Sequence, residues 1–193
     1  MPATKLVSPP DPAVEPAGDL WRTPPHVMAL ARTVLGSIDL DPASSDDANA
    51  TVGASAIYTR AQDGLSRPWT CPDGRPARTW TNPPYSRKGK VSMAGLFLDR
   101  LIAQHAAGNV PAGIILVNVC TETVWFRPMW GLWLCFWRGR IDFSHPGRPA
   151  GSPKHASVLG YVGPHPDRFA AAFAPFGQIV PPAVPTPERG STR

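Results

Sequence analysis

Gly113-Ile114-Ile115-Leu116-Val117-Asn118-Val119 is a nearly continuous apolar run. A strand with one wet face alternates apolar and polar residues, so a run without alternation is expected in the middle of a sheet covered on both faces. Just upstream, Ser92 reads as the cap of a helix that carries Leu96, Phe97, Leu101 and Ile102 and stops near Gly108. Before it lies a short β-type run, Arg78-Thr79-Trp80-Thr81. Further strands are expected at 132–137 and 157–162, the latter followed by a short helix at 168–173. Towards the amino end, Thr23 reads as a helix cap with Pro24 at the first helical position. An apolar face of Val27, Leu30, Ala31, Val34 and Leu35 then runs to Gly36 as a stop. Ile38-Asp39-Leu40-Asp41 is a short strand ended by Pro42, and the residues from there to Trp69 read as irregular. Strands alternating with helices imply an α/β fold with a doubly wound, mostly parallel sheet. Ligands bind such sheets beyond the carboxyl ends of the strands, where Asp41 and Asn82 both fall.

The 193 residues, 42% of them hydrophobic, fit one domain over residues 19–180. The Pro- and Ala-rich ends, 1–18 and 181–193, carry no periodic pattern and read as disordered tails. Cys71, Cys120 and Cys135 form no CxxC pair, which argues against a zinc site and a disulfide framework. No apolar run reaches the ~18–20 residues of a membrane span, and the first residues lack the order of a signal peptide. A reducing cytoplasm is the simplest setting. The net charge of +5 permits a polyanionic partner without demanding one. From Arg138 to His155 the basic residues Arg138, Arg140, Arg148 and Lys154 face one acid, Asp142, and Arg87, Lys88 and Lys90 form a second basic group. Either a phosphate backbone or plain solvation accounts for such loops.

Asn82-Pro83-Pro84-Tyr85 closes the 79–81 run. An exocyclic amine on a nucleobase is a poor nucleophile because its lone pair is delocalised into the ring, and accepting hydrogen bonds from the amine localises that pair. The Asn82 side-chain oxygen and the Pro83 carbonyl can do this together. Pro83 and Pro84 hold the backbone extended and remove competing N–H donors, and Tyr85 supplies a flat face for a planar acceptor. Two readings therefore coexist: amino-group methylation, or a Pro-rich turn in a chain with 25 prolines. Asp41 has two readings as well, a ligand for ribose hydroxyls or an amine, or a local cap. The helix at Pro24 offers an amino end suited to a small carboxylate such as that of S-adenosylmethionine. In Asp63-Gly64-Leu65, Asp63 can meet an adenine amine and Leu65 its ring, or the three can be an ordinary Asp-Gly turn.

An ordered set of motifs resembles the phage-type DNA N-6-adenine methyltransferases. It comprises Asp19-Leu20-Trp21-Arg22-Thr23-Pro24, Leu40-Asp41-Pro42-Ala43-Ser44, Asp63-Gly64-Leu65 before Trp69, and Trp80-Thr81-Asn82-Pro83-Pro84-Tyr85-Ser86. Thr121-Glu122-Thr123-Val124-Trp125-Phe126 and Arg138-Gly139-Arg140-Ile141-Asp142-Phe143 complete it. The resemblance implies a Rossmann-like methyltransferase fold, S-adenosylmethionine as donor, DNA adenine as acceptor, no metal, and a phage or prophage setting in a bacterial host. With the residue reading it assigns Asn82, Pro83, Pro84 and Tyr85 to the reacting amine. Trp21, Thr23, Pro24, Asp41, Pro42, Asp63 and Leu65 go to the cofactor. Ser86, Arg87, Lys88, Arg140, Phe143, Arg148 and Lys154 go to DNA, with Phe143 stacking on the flipped base. The chain has Pro42-Ala43-Ser44 where most methyltransferases have a Gly-x-Gly turn, and Asn82 where many adenine enzymes carry Asp. The alternatives are a methyltransferase for protein glutamine or RNA, and a catalytically silent nucleic-acid-binding module.

Overall fold

The structure is a computed structural model that describes residues 21–145, 148–151 and 155–183. Along the chain run α1 (Pro25–Leu35), β1 (Leu40–Asp41), α2 (Asp46–Val52), β2 (Ala56–Ile57), β3 (Thr79–Thr81), β4 (Arg87–Lys88), β5 (Val91–Ser92) and α3 (Met93–Ala106). Then follow β6 (Gly113–Asn118), β7 (Trp133–Trp137), β8 (Phe143–His145), β9 (Arg148–Gly151), β10 (Ser157–Val162), α4 (Pro166–Phe173) and β11 (Gly177–Val180). Short 3-10 segments lie at Arg60–Gln62 and Val124–Gly131.

Seven strands form one sheet in the order β11-β7-β10-β6-β3-β1-β2. β2, β1, β3 and β6 pair in parallel, whereas β10 pairs antiparallel with β6 and β7, and β11 antiparallel with β7. Five strands thus point one way and β10 and β11 the other, a mixed α/β architecture with a largely parallel sheet. β6 sits inside it with both faces covered. Ile114 and Leu116 pack in a core with Val27, Met28, Ala31, Val34 and Leu35 of α1 and Phe169 and Phe173 of α4. Ile115 and Val117 pack in a second core with Ala94, Phe97, Leu98 and Leu101 of α3 and with Phe126 and Met129. Each fully buried Ile or Leu contributes roughly 1.5–3 kcal/mol, so the unalternating run is what two such cores require.

Several expected boundaries move. α1 begins one residue later than read, with Pro24 at the cap position and no side-chain capping bond, and ends at Gly36, whose φ of 79° suits glycine. Residues 42–69, read as irregular, hold α2 and β2. Ser45 caps α2 by accepting from the Ala48 amide at 3.2 Å, and Gly53 (φ 65°) ends it. β11 and the small hairpins β4/β5 and β8/β9 were also not anticipated. Ser92 does cap α3, accepting from the Gly95 amide at 3.3 Å. Of the two expected tails, residues 181–183 are described, and the Ala183 amide donates to the Trp130 carbonyl. The remainder lies outside the described residues. No helix among the described residues is long and apolar enough to cross a membrane.

Candidate active site

β1 and β3 are parallel neighbours, and the chain leaves them in opposite directions. From β1 it turns through α2, which packs on α1, out to β2 at the edge; from β3 it passes through α3 on the other face to β6. A crevice opens where two adjacent strands send their chains to opposite faces. Asp41 is the last residue of β1 and Asn82 the first after β3, so both stand in it. Arg78 fastens the far ends of these strands. Its Nε donates to Asp39 Oδ2 at 2.8 Å and a terminal nitrogen donates to Oδ1 at 3.2 Å.

The Asn82 amide is held on both sides. Nδ2 donates to Thr23 Oγ1 at 3.2 Å, and Oδ1 accepts from the Tyr85 hydroxyl at 3.0 Å. Thr23 is buried at 5% exposure, Pro83 is buried, and Asn82, Pro84 and Tyr85 are half-buried. The tetrapeptide carries an amide whose oxygen is engaged by a residue of the same loop.

Asp41 is 2% exposed. Burial pushes its carboxyl up to about 7, against the pull of the Ala43 N–H, 3.1 Å from Oδ1, and of the Ser44 hydroxyl. No cationic side chain is among the causes of that shift. A cation or a set of donors brought by a ligand would offset the desolvation.

Two cavities meet at the crevice, sharing Ala43, Ser44 and Pro84. A small one lies among Trp21, Thr23, Asp41, Trp80 and Asn82. The larger, about 670 Å³, a usual size for a small-molecule site, is bounded by Pro42, Tyr58, Asp63, Leu65, the 86–88 stretch and the start of α3. Gly64 explains how Asp63 and Leu65 reach it: a Cβ there would lie 1.9 Å from the Pro42 carbonyl oxygen, so only glycine lets the loop press on the end of β1. The Trp69 indole N–H holds the same loop by donating to the Gly64 carbonyl at 2.9 Å.

The structure thus divides the expected cofactor residues between two connected cavities: Trp21, Thr23 and Asp41 in one, Pro42, Asp63 and Leu65 in the other. Pro24 is buried at the cap of α1 and lines neither. The amino end of α1 offers less than expected, because Pro25 has no N–H and the Val27 and Met28 amides already donate to the Pro24 carbonyl. That leaves the His26 amide and the helix dipole. Ser86, Arg87 and Lys88 line the large cavity, the latter two exposed. Phe143 requires a correction. At 4% exposure it is committed to the core beside α1, with no open ring face for a base. Arg140 is exposed; Arg148 lies in β9, where the backbone alone is described, and Lys154 lies outside the described residues. Sequence reasoning missed Trp80 as a site residue. Its ring is fully buried, lines the small cavity, and leaves its indole N–H without a hydrogen-bond partner among the described residues. An indole in a strand reads as core, and the idle N–H shows only in three dimensions. Among the described residues, no group of three or more His, Cys, Asp or Glu side chains could hold a metal ion.

Residues 12–157 match the model of a family described as DNA N-6-adenine-methyltransferase (Dam). A DNA N-6-adenine-methyltransferase of Escherichia phage T1 is 31% identical over 108 residues, which is 56% of this chain and 39% of the phage protein. The chain thus spans about two fifths of the length of this curated relative. No solved structure matches.

Proposed function

The chain belongs to the DNA N-6-adenine-methyltransferase (Dam) family, and from that premise we propose that it transfers a methyl group from S-adenosylmethionine to the N6 amine of adenine in DNA on a Rossmann-like fold. The observation that carries this reading is the Asn82 amide beside a buried carboxylate at the point where β1 and β3 part. When bound, S-adenosylmethionine would supply an electrophilic sulfonium methyl and leave as the neutral thioether, and the proton shed by the methylated N6 would pass to solvent. The chain's part is to bind, orient and exclude water. Asn82 Oδ1 and the Pro83 carbonyl accept the N–H groups of the amine and aim its lone pair, and Pro84 stiffens the loop. Most of the acceleration then comes from positioning and oriented dipoles.

The residues fit the donor. Asp41 is an acceptor in need of donors, which suits an ammonium, and Trp80 lines the same small cavity. Trp21, Thr23 and Pro24 wall this end, with the α1 dipole behind them. Pro42, Asp63 and Leu65 in the larger cavity would take the adenosine end. The acceptor adenine must leave its duplex at a cost of a few kcal/mol, offset by stacking on the Tyr85 ring once its hydroxyl releases Asn82. Ser86, Arg87 and Lys88 at the rim of the larger cavity would meet the DNA backbone, with Arg140, Arg148 and Lys154 further along the chain. Expression of the chain in cells without adenine methylation, followed by sequencing of their DNA for N6-methyladenine, tests the proposal. Modified adenines at a defined sequence are expected; unmodified DNA with methylated RNA or protein would redirect the activity.

A further inference from the structure

We propose that Phe176, stacked on Trp137 beside Arg138, is a stacking site for an unpaired base of a DNA strand running out of the crevice. The inference takes its partner, DNA, from the reading above and adds a surface outside both cavities. Three rings stand in a row on it. The His26 and Trp137 centroids are 6.0 Å apart; those of Trp137 and Phe176 are 5.3 Å apart, with their planes within 14° of parallel. Both β6 and β7 run antiparallel to β10, so Trp137, the last residue of β7, lies at the same carboxyl edge as Asp41 and Asn82. The near end of the row adjoins the crevice, because His26 follows closely on Thr23, whose hydroxyl lies 3.2 Å from the Asn82 amide. Further out, β10 and β6 separate β7 from β3. At ~4.8 Å per strand Trp137 stands roughly 14 Å from Asn82, about four stacked nucleotides. A lone exposed Phe says little about partners. This one sits in the turn between α4 and β11, where Ala174 and Pro175 are exposed too, and at 39% exposure it leaves ring area open beyond Trp137. A cation stands beside it. The Arg138 amide donates to the Phe176 carbonyl at 2.8 Å, a terminal guanidinium nitrogen donates to the Pro175 carbonyl at 3.5 Å, and the side chain stays exposed. Arg140 is exposed as well, and Asp142 is the one acid in the stretch 138–145. Aromatic faces for bases beside cations for phosphates are what holds a single strand. A second copy of the chain on the same surface would set arginine against arginine.

Oligothymidine of about fifteen nucleotides, the upper end of single-strand site sizes, is the probe, since it offers bases to stack and no adenine to methylate. Its affinity is measured by fluorescence anisotropy, without S-adenosylmethionine, for the wild-type chain and for Phe176→Ala, Phe176→Leu and Phe176→Tyr. Phe176→Ala should weaken binding about tenfold, the usual effect of removing one stacked ring. Phe176→Leu keeps apolar bulk without an aromatic face and should lose nearly as much, whereas Phe176→Tyr should bind like the wild type. Arg138→Gln should reduce the slope of log affinity against log salt by about 0.7, the value for one phosphate contact with a single strand. Phe176→Leu and Phe176→Tyr both fill the turn, so their comparison decides the matter even if Phe176→Ala melts below the assay temperature. Equal affinity in those two variants would reduce Phe176 to an apolar contact and overturn the inference. A wild-type chain that ignores oligothymidine would overturn it too, as would a wild-type dimer in sedimentation that Phe176→Leu dissociates, which would give the surface to a second copy. A chain that binds through Phe176 yet transfers no methyl group would remove the functional reading alone; one that methylates duplex DNA yet does not bind oligothymidine would remove this inference alone.

Discussion

Asp41 ends β1 as a carboxylate only 2% exposed, its Oδ1 accepting from the Ala43 amide. A carboxylate at a strand end was legible as a ligand candidate; that it is fully buried was not, because its surroundings include Trp21 to Thr23 and Trp80, which are distant in sequence. The sign of its titration follows. A folded-state value of about 7, above the ordinary value near 3.8, means that the ligand-free fold loses stability as pH rises from about 4 through 7. Asp41→Asn should therefore melt higher than the wild type at pH 8, the difference shrinking towards zero near pH 4. Binding of a cationic ligand to the protonated carboxyl should release close to one proton at pH 6 and little above pH 8, as read by calorimetry in buffers of different ionisation enthalpy. Asp41→Asn should show no such release and weaker binding. Asn82 was legible for another reason: two prolines after an Asn narrow what the backbone can do. Its Thr23 partner was not, since nothing local marks a contact so distant in sequence.

At the scale of elements, legibility followed length. α3 carries enough apolar residues for its period to show and β6 enough to stand out as an unbroken apolar run, and both were read nearly to the residue. β1, read as a strand over 38–41, keeps its last two residues as strand, β2 has two residues, too few for any alternation, and α2 is announced only by Ser45, its acidic first turn and Gly53. The loop carrying Asp63 was the most ambiguous piece, because Asp-Gly also makes ordinary turns. The segment does turn, the Ser66 amide donating to the Asp63 carbonyl at 2.9 Å, and glycine is required in it by the Pro42 carbonyl. Gly64→Ala should thus destabilise the chain by about 1–3 kcal/mol, the usual cost of forcing atoms into a filled space, and weaken S-adenosylmethionine binding as the loop lifts from β1. Gly131→Ala, where a Cβ would meet nothing within 4 Å, serves as the control and should leave both unchanged. Thermal melting and cofactor titration of the two variants make the comparison.

For the whole molecule, the alternation of strands and helices made an α/β sheet legible and directed attention to its carboxyl edge, where Asp41 and Asn82 lie. The reversed strands β10 and β11 were not legible, because direction is set by pairing partners rather than by composition. The distribution of charge belongs to this scale too. Arg87, Lys88 and Arg140 are exposed, and if they meet phosphates, the logarithm of DNA affinity should fall linearly with that of salt. Replacing all three with Ala should reduce the slope by roughly 0.9 for each phosphate contact removed while sparing cofactor affinity; lost binding with an unchanged slope would mean that the charges act through folding. The central claim, an amide that aims an adenine amine at a donated methyl, is tested most directly by incubating the purified chain and its Asn82→Ala variant with labelled S-adenosylmethionine and unmethylated DNA, then digesting to nucleosides. The account predicts label in N6-methyldeoxyadenosine for the wild type, and for Asn82→Ala a transfer rate lower by about 10²–10³-fold with donor affinity largely intact. Label in N6-methyldeoxyadenosine at equal rates from both chains would contradict it.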